Sequence, residues 1–308
     1  MKRGAIVGLI VGTLIALGIL FVWLLQGSTF HVLRPTGQVA AQERDLIVLT
    51  VLLSLVVVIP VFTMLIMFAW KYSDKNKQRK TYTPEWHSNP LLEIIWWGIP
   101  IIIIGILGTV TWFTSHSLDP YKPLASQQKP LEVQVVALQW KWLFLYPEQH
   151  IASVNELVVV KDQPVHFTIS ADAPMSAFWI PTLGTQIYSM SGMNSQLNLV
   201  ANKTGDYYGY NTNINGKGYA GMRFAVKVRS ADEFARFVSQ ASASNKVMDE
   251  VAYQVLSQPG EMTNAYYYTL PDSKLYEQIV MKYMHGNLPS STTENDAMNH
   301  SMSEMEGM

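Results

Sequence analysis

Apolar positions follow two regimes along this chain. Up to residue 113 they run almost unbroken in three stretches, Gly4–Leu25, Leu46–Trp70 and Leu91–Phe113. A helix needs about 20 apolar residues to cross the hydrocarbon of a bilayer, and a buried helix of a soluble protein seldom stays this apolar. Each stretch therefore predicts a membrane helix. Pro60 and Pro100 lie inside the second and third. In lipid a neighbouring helix can satisfy the carbonyl that a proline frees, so both predict kinked, contacting helices rather than breaks.

From Leu131 the period changes to two. In "LEVQVVAL" Leu131, Val133 and Val135 alternate with Glu132 and Gln134, and in "VHFTIS" Val165, Phe167 and Ile169 alternate with polar residues. "QLNLV" and "MRFAVKV" repeat the pattern. Such segments, separated by Gly, Pro and Asn clusters, predict a β-sandwich or barrel. Beyond it "SADEFARFVSQAS" places Phe234, Phe237 and Val238 on one helical face. Residues 230–285 are therefore expected to form a small helical appendage. The tail 286–308, polar with scattered Met, is expected to be disordered.

Charge orients the chain. The segment "KYSDKNKQRK" (71–80) carries Lys71, Lys75, Lys77, Arg79 and Lys80, and Lys2 and Arg3 precede the first stretch. The positive-inside rule puts both on the cytoplasmic side and everything after Phe113 outside. Two readings of the first stretch stand: an uncleaved anchor, or a removed secretory signal with Gly27 and Ser28 at its end. The expected organisation is a signal or anchor helix over 1–28, a two-helix hairpin over 42–116, an external sandwich over 125–229, the appendage over 230–285 and the tail. A net charge of −1 gives no reason to expect nucleic acid as a partner. The chain has no cysteine, which excludes disulfides and thiolate metal sites.

The segment "YYGYNTNINGKGYAGM" (207–222) has Asn211, Asn213 and Asn215 at alternate positions, then Tyr219 and Met222. Asn and Gly readily adopt positive φ, so a plain surface turn accounts for it. Two membrane stretches ahead of a sandwich, with this loop, "WKWLFLYPEQHIASVNEL" (140–157) and "FWIPTLGTQIYSMSGM" (178–193), make the chain similar to subunit II of the haem–copper terminal oxidases. It most resembles the quinol-oxidising, cytochrome o branch, over nearly its whole length. The resemblance implies a cupredoxin-like sandwich and, for residues 230–285, the extra C-terminal domain of that branch. In the cytochrome c-oxidising relatives this loop is part of a two-copper centre, Cys-x-Glu-x-Cys-x-x-x-His-x-x-Met with another His upstream. On that pattern Asn211 and Asn215 stand at the cysteines, Asn213 at the glutamate, Tyr219 at the histidine, Ser176 at the upstream histidine, and Met222 alone matches. Two coppers held close need bridging thiolates, and neutral amides are weak donors for them. The expectation is no metal and no redox cofactor in this chain.

Other positions carry weaker signals. Glu93, at the cytoplasmic start of the third stretch, is an ionisable group at the membrane, and such groups often mark proton paths. The resemblance implies a role at the entrance of a proton-uptake channel; an interfacial carboxylate snorkelling to water is the alternative. Trp140 and Trp142 match an aromatic patch that receives electrons in the copper-bearing relatives, but core packing or interfacial anchoring accounts for them. Ser28 takes the place of a lipid-modified Cys in close relatives, and its hydroxyl cannot carry that modification. His166 is expected at the surface, and the tail "AMNHSMSEMEGM" is expected to be solvated rather than to bind copper.

The resemblance implies a non-catalytic subunit of a proton-pumping quinol oxidase in the bacterial cytoplasmic membrane. Its partners would be subunit I, which would carry the haems and one copper, further small subunits, quinol reached through the complex, and lipid. A cytochrome c oxidase subunit with an atypical copper site and a free-standing membrane-anchored cupredoxin-like protein are the alternatives.

Overall fold

The structure, a computed structural model, describes residues 12, 31–72, 89–124, 126, 128–262, 264–272 and 274–284. The first apolar stretch apart from Gly12, Ser28, the basic residues 75–80 and the tail lie outside them. The chain divides into two compact units, Met1–Lys122 and Pro123–Met308.

The first unit contains α1 (Gln38–Lys71) and α2 (Pro90–Ser117). Both are long and apolar enough to cross a membrane. At 1.5 Å per residue they measure about 50 and 40 Å, more than the ~30 Å of hydrocarbon. Asn89 starts α2: its side chain accepts hydrogen bonds from the amides of Leu91 (3.0 Å) and Leu92 (3.3 Å), and Pro90, with no N–H to lose, takes the first helical position. The helices continue through Pro60 and Pro100. Thr50, Ser54, Thr63, Thr109 and Thr114 each return their hydroxyl to the carbonyl four residues back, which satisfies these polar groups inside an apolar helix. The α1 helix begins eight residues before the apolar stretch does. There Val39 and Ala40 are buried beside the short 3-10 turn His31–Leu33.

The second unit is a sandwich of two sheets. The strands are β1 (Leu131–Leu138), β2 (Lys141–Tyr146), β3 (Ile151–Val154), β4 (Glu156–Val160), β5 (Pro164–Ala171), β6 (Ser176–Trp179), β7 (Ile187–Ser189), β8 (Ser195–Val200), β9 (Gly205–Asn211), β10 (Arg223–Arg229) and β11 (Tyr266–Thr269). One sheet runs β11-β3-β2-β1-β5-β8 and the other β4-β10-β9-β6-β7. Pairing is antiparallel except for β1 with β5 and β4 with β10. Between the sheets lies an aromatic core. Phe178 stacks on Phe224 with ring centres 5.2 Å apart, and Trp142 meets both edge-on at 5.3 and 5.6 Å. Phe167 and Phe144 complete the cluster. Gly209 lies under it, where a Cβ would come within 2.0 Å of the Phe224 ring.

The helical appendage is present and adds a strand to the sandwich. Residues 230–285 do supply helices, α3 (Ala231–Ser242), α4 (Glu250–Ser257) and α5 (Leu275–Met284), but they also supply β11, which extends the six-stranded sheet at β3. A Ser230–Glu233 capping box starts α3. The outer face of that sheet, formed by Val136, Leu138, Leu143, Leu145, Ala152 and Val154, is covered by Tyr253 and Leu256 of α4 and by Leu275, Tyr276, Ile279 and Val280 of α5. The architecture therefore has three layers. His166 is half-buried, 2.8 Å from the Asn198 carboxamide on the neighbouring strand.

Polar ties hold the outer layer on. The buried Lys141 donates to the Gln258 carbonyl at 2.8 Å, and the Asn155 amide donates to the Met262 carbonyl at 2.7 Å. Tyr267 donates to the buried Glu156 at 2.6 Å, and Lys227 pairs with the other carboxylate oxygen at 2.7 Å. Asp172, at the end of β5, receives Tyr253 at 2.6 Å, Lys282 at 2.8 Å and the Tyr283 hydroxyl. Burial pushes the Asp172 carboxyl up, but these donors outweigh it and hold the group below its ordinary range. A carboxyl depressed in the folded state adds stability above its unfolded pKa, and loses it as pH falls through the folded value. Protection of α4 and α5 from protease is therefore expected to stay flat from pH 7 down to about pH 4 and to decay below. In Asp172→Asn that decay should flatten, measured by limited proteolysis across the same range.

Candidate functional site

The loop after β9 is not a plain surface turn. Register puts Asn211, the last residue of β9, opposite Phe178 of β6. Its side chain is buried, and both ends of the amide are used. The oxygen accepts from the Ala177 amide at 2.8 Å and the Asn213 amide at 3.1 Å. The nitrogen donates to the Asn213 carbonyl at 2.9 Å and to Met222 Sδ at 3.4 Å. Backbone bonds run the same way, from Asn211 N–H to the Met222 carbonyl and from Thr212 N–H to the Ala177 carbonyl.

The neighbouring asparagines reach the start of the same strand and the residue before it. The Asn213 amide donates to the Met175 carbonyl at 2.7 Å. The Asn215 amide donates to Ser176 Oγ at 2.9 Å and lies 3.7 Å from Met222 Sδ. Thr212 donates to the Gln186 side chain at 2.5 Å. Ser176, Asn211, Asn213, Asn215 and Met222 thus converge at one end of the sandwich. Tyr219 stands half-exposed in the 3-10 turn Tyr219–Gly221, and among the described residues its side chain makes no hydrogen bond to the other five. Met175 and Gln186 escaped the sequence reading, because their contribution is a backbone carbonyl and a cross-loop side chain that no spacing signals.

The two tryptophans part company. Trp142 is wholly buried in the aromatic core. Trp140 sits in the turn between β1 and β2 with φ of 69°, a left-handed conformation that costs a non-glycine residue about 1–2 kcal/mol. Its indole lies under the loop. A Cβ on Gly218 would come within 2.4 Å of that ring, and Gly216, at φ 122°, lies against its edge. Above them Ile214 is 79% exposed. Glu93 is far from this in sequence: it is exposed in the first turn of α2, its backbone N–H donating to the Asn89 carbonyl at 3.0 Å.

A two-copper centre does not fit these residues. The surviving soft donor, Met222 Sδ, already receives two amide N–H groups, so nitrogen-bound hydrogens point where a cation would have to sit. The chain contains no thiolate to bridge two metals. Among the described residues no group of three or more His, Cys, Asp and Glu could hold a metal ion.

A pair of long apolar helices, a two-sheet sandwich and a loop at this position define the class: a membrane-anchored protein with a cupredoxin-like external domain, of the oxidase subunit II kind. The family model "Cytochrome C oxidase subunit II, periplasmic domain" matches residues 147–229, and the "COX Aromatic Rich Motif" matches residues 242–287. A cytochrome bo(3) ubiquinol oxidase subunit 2 of Pseudomonas aeruginosa is 44% identical over 85% of this chain and 79% of its own length. A ubiquinol oxidase subunit 2 of Acetobacter aceti is 41% identical over 88% of each. The periplasmic domain of subunit II of cytochrome oxidase of Bradyrhizobium japonicum aligns with 37% of this chain and 96% of that domain, at 26% identity and a TM-score of 0.35. The chain belongs to the quinol oxidase subunit 2 family.

Copper offered to the purified protein is expected not to be retained through gel filtration, as checked by metal analysis. Gly218→Ala is expected to lift the loop from Trp140 and to shift tryptophan emission to the red, since the added Cβ overlaps the ring.

Proposed function

We propose that this chain is the metal-free second subunit of a proton-pumping terminal oxidase that reduces oxygen to water with electrons from quinol. One observation carries the reading: relatives at 41–44% identity bear the name ubiquinol oxidase subunit 2, while the loop that would hold an electron-accepting metal is filled with hydrogen-bonded amides. Electrons then bypass this chain and reach a haem- and copper-bearing subunit I from quinol within the membrane. The chain stands beside that subunit, in the bacterial cytoplasmic membrane, with its sandwich on the outer side. The apolar residues of α1 and α2, exposed within the chain, are covered there by lipid and by helices of subunit I.

Glu93 is the one position of this chain given a part in proton movement. Its place in the first turn of a membrane helix, exposed rather than packed inside the chain, suits a carboxylate that passes protons from cytoplasmic water toward a partner helix. The groups Ser176, Asn211, Asn213, Asn215, Tyr219 and Met222 take no part in electron transfer.

Purification of the tagged chain in mild detergent tests the reading. It should bring down a haem-containing subunit, and the complex should oxidise quinol but not reduced cytochrome c. Turnover with the cytochrome, or a chain that elutes alone, would overturn it. Glu93→Gln is expected to slow quinol-driven proton uptake by about tenfold, equivalent to ~1.4 kcal/mol of barrier, with assembly and haem content unchanged.

A further inference from the structure

The same end of the sandwich poses a separate physical question. A loop of seven residues between β9 and the 3-10 turn must be held in shape, and it carries Ile214 almost fully in solvent. Apolar packing cannot hold it alone, because its buried side chains are polar or absent. Asn211 has capacity for two accepted and two donated hydrogen bonds and makes all four. Those bonds join three separate stretches of chain: β6 through Ala177, the loop through Asn213, and the start of β10 through Met222. Asn213 and Asn215 add a second and third tie to the β6 side, at Met175 and Ser176.

We propose that this carboxamide network does the fastening that a bound metal would do, with Asn211 as its keystone, so that this end of the domain reaches its working shape without copper. Each tie is weak alone. A buried amide deprived of its partner, however, has lost its water without replacement, so the network behaves as a unit. Met222 serves in it as an acceptor for two amide N–H groups rather than as a metal ligand. The domain's maturation then needs no copper-insertion step and its loop geometry is indifferent to redox state. The proposal rests on the copper-free reading above.

Hydrogen exchange of the full chain in its purified complex tests it, with copper bound to the external domain assayed in the same samples. The amides of Ala177, Thr212 and Asn213 should exchange slowly in the unaltered protein, with or without chelator. Asn211→Asp keeps the size and both accepted bonds but turns an oxygen toward the Asn213 carbonyl and Met222 Sδ. It should speed that exchange by about tenfold. Met222→Leu keeps the packing but removes the sulfur acceptor, and should speed it less. Should Asn211→Asp not accumulate, Met222→Leu and Asn213→Ala, which frees the Met175 carbonyl, carry the test. Unchanged exchange in the variants that fold would overturn the amide fastening alone. Copper in the external domain, with exchange that quickens when it is chelated, would overturn the copper-free reading instead.

Discussion

A sheet with apolar side chains on both faces has to be covered twice, and this requirement organises the whole external unit. The strand "KWLFLY" is buried at every position. Its Trp142, Phe144 and Tyr146 face the inner core, while Leu143 and Leu145 face outward under α4 and α5. Without the C-terminal layer those leucines would meet water, and each fully buried leucine is worth about 1.5–3 kcal/mol over its exposed state. The polar ties follow from the same cover. The C-terminal segment brings Asp172 a lysine and two tyrosines and brings Glu156 a tyrosine, while Lys227 of β10 supplies the cation at Glu156, so each buried charge gains donors.

The loop end obeys a related economy of polar groups. At this end the chain places carboxamides that bond to the backbone, to a serine hydroxyl and to a thioether. Five side chains converge there, and hydrogen bonds join them to the neighbouring chain. The backbone path of a polar loop holds where a set of directional bonds spans the gap. Trp140 belongs to the same solution. Its strained turn places an indole as a floor, and only glycine at 218 allows the loop to lie down on it.

Much of this was legible in the residues. Long apolar runs marked α1 and α2, because no other arrangement tolerates so many consecutive apolar side chains. Period-two alternation marked β1, β5, β8 and β10. The C-terminal strand was not legible: "YYYT" has no alternation, and its pairing with β3 depends on residues more than a hundred positions away. The third layer left a trace that alternation alone obscures. In "LEVQVVAL" the outward positions change from Glu132 and Gln134 to Val136 and Leu138, where α4 and α5 lie. The family resemblance pointed to Ser176 on β6 and to the five loop positions but said nothing of how amides would be satisfied, since Asn211 bonds to Ala177 of β6 through strand register. Glu93 was visible as a charge at the edge of an apolar run, and its surroundings in an assembly are beyond a single chain.

The pairing of β11 with β3 also has a consequence for the order of events in biogenesis. Glu156 and its partner Tyr267 stand 111 positions apart. A chain threaded outward from its N-terminus exposes β3 long before β11 follows. Throughout that interval the sheet carries an open rim of unpaired amides and carbonyls, a template for joining other chains. Closure waits for residues 266–269, so a polypeptide terminated before them would be delivered with that rim bare.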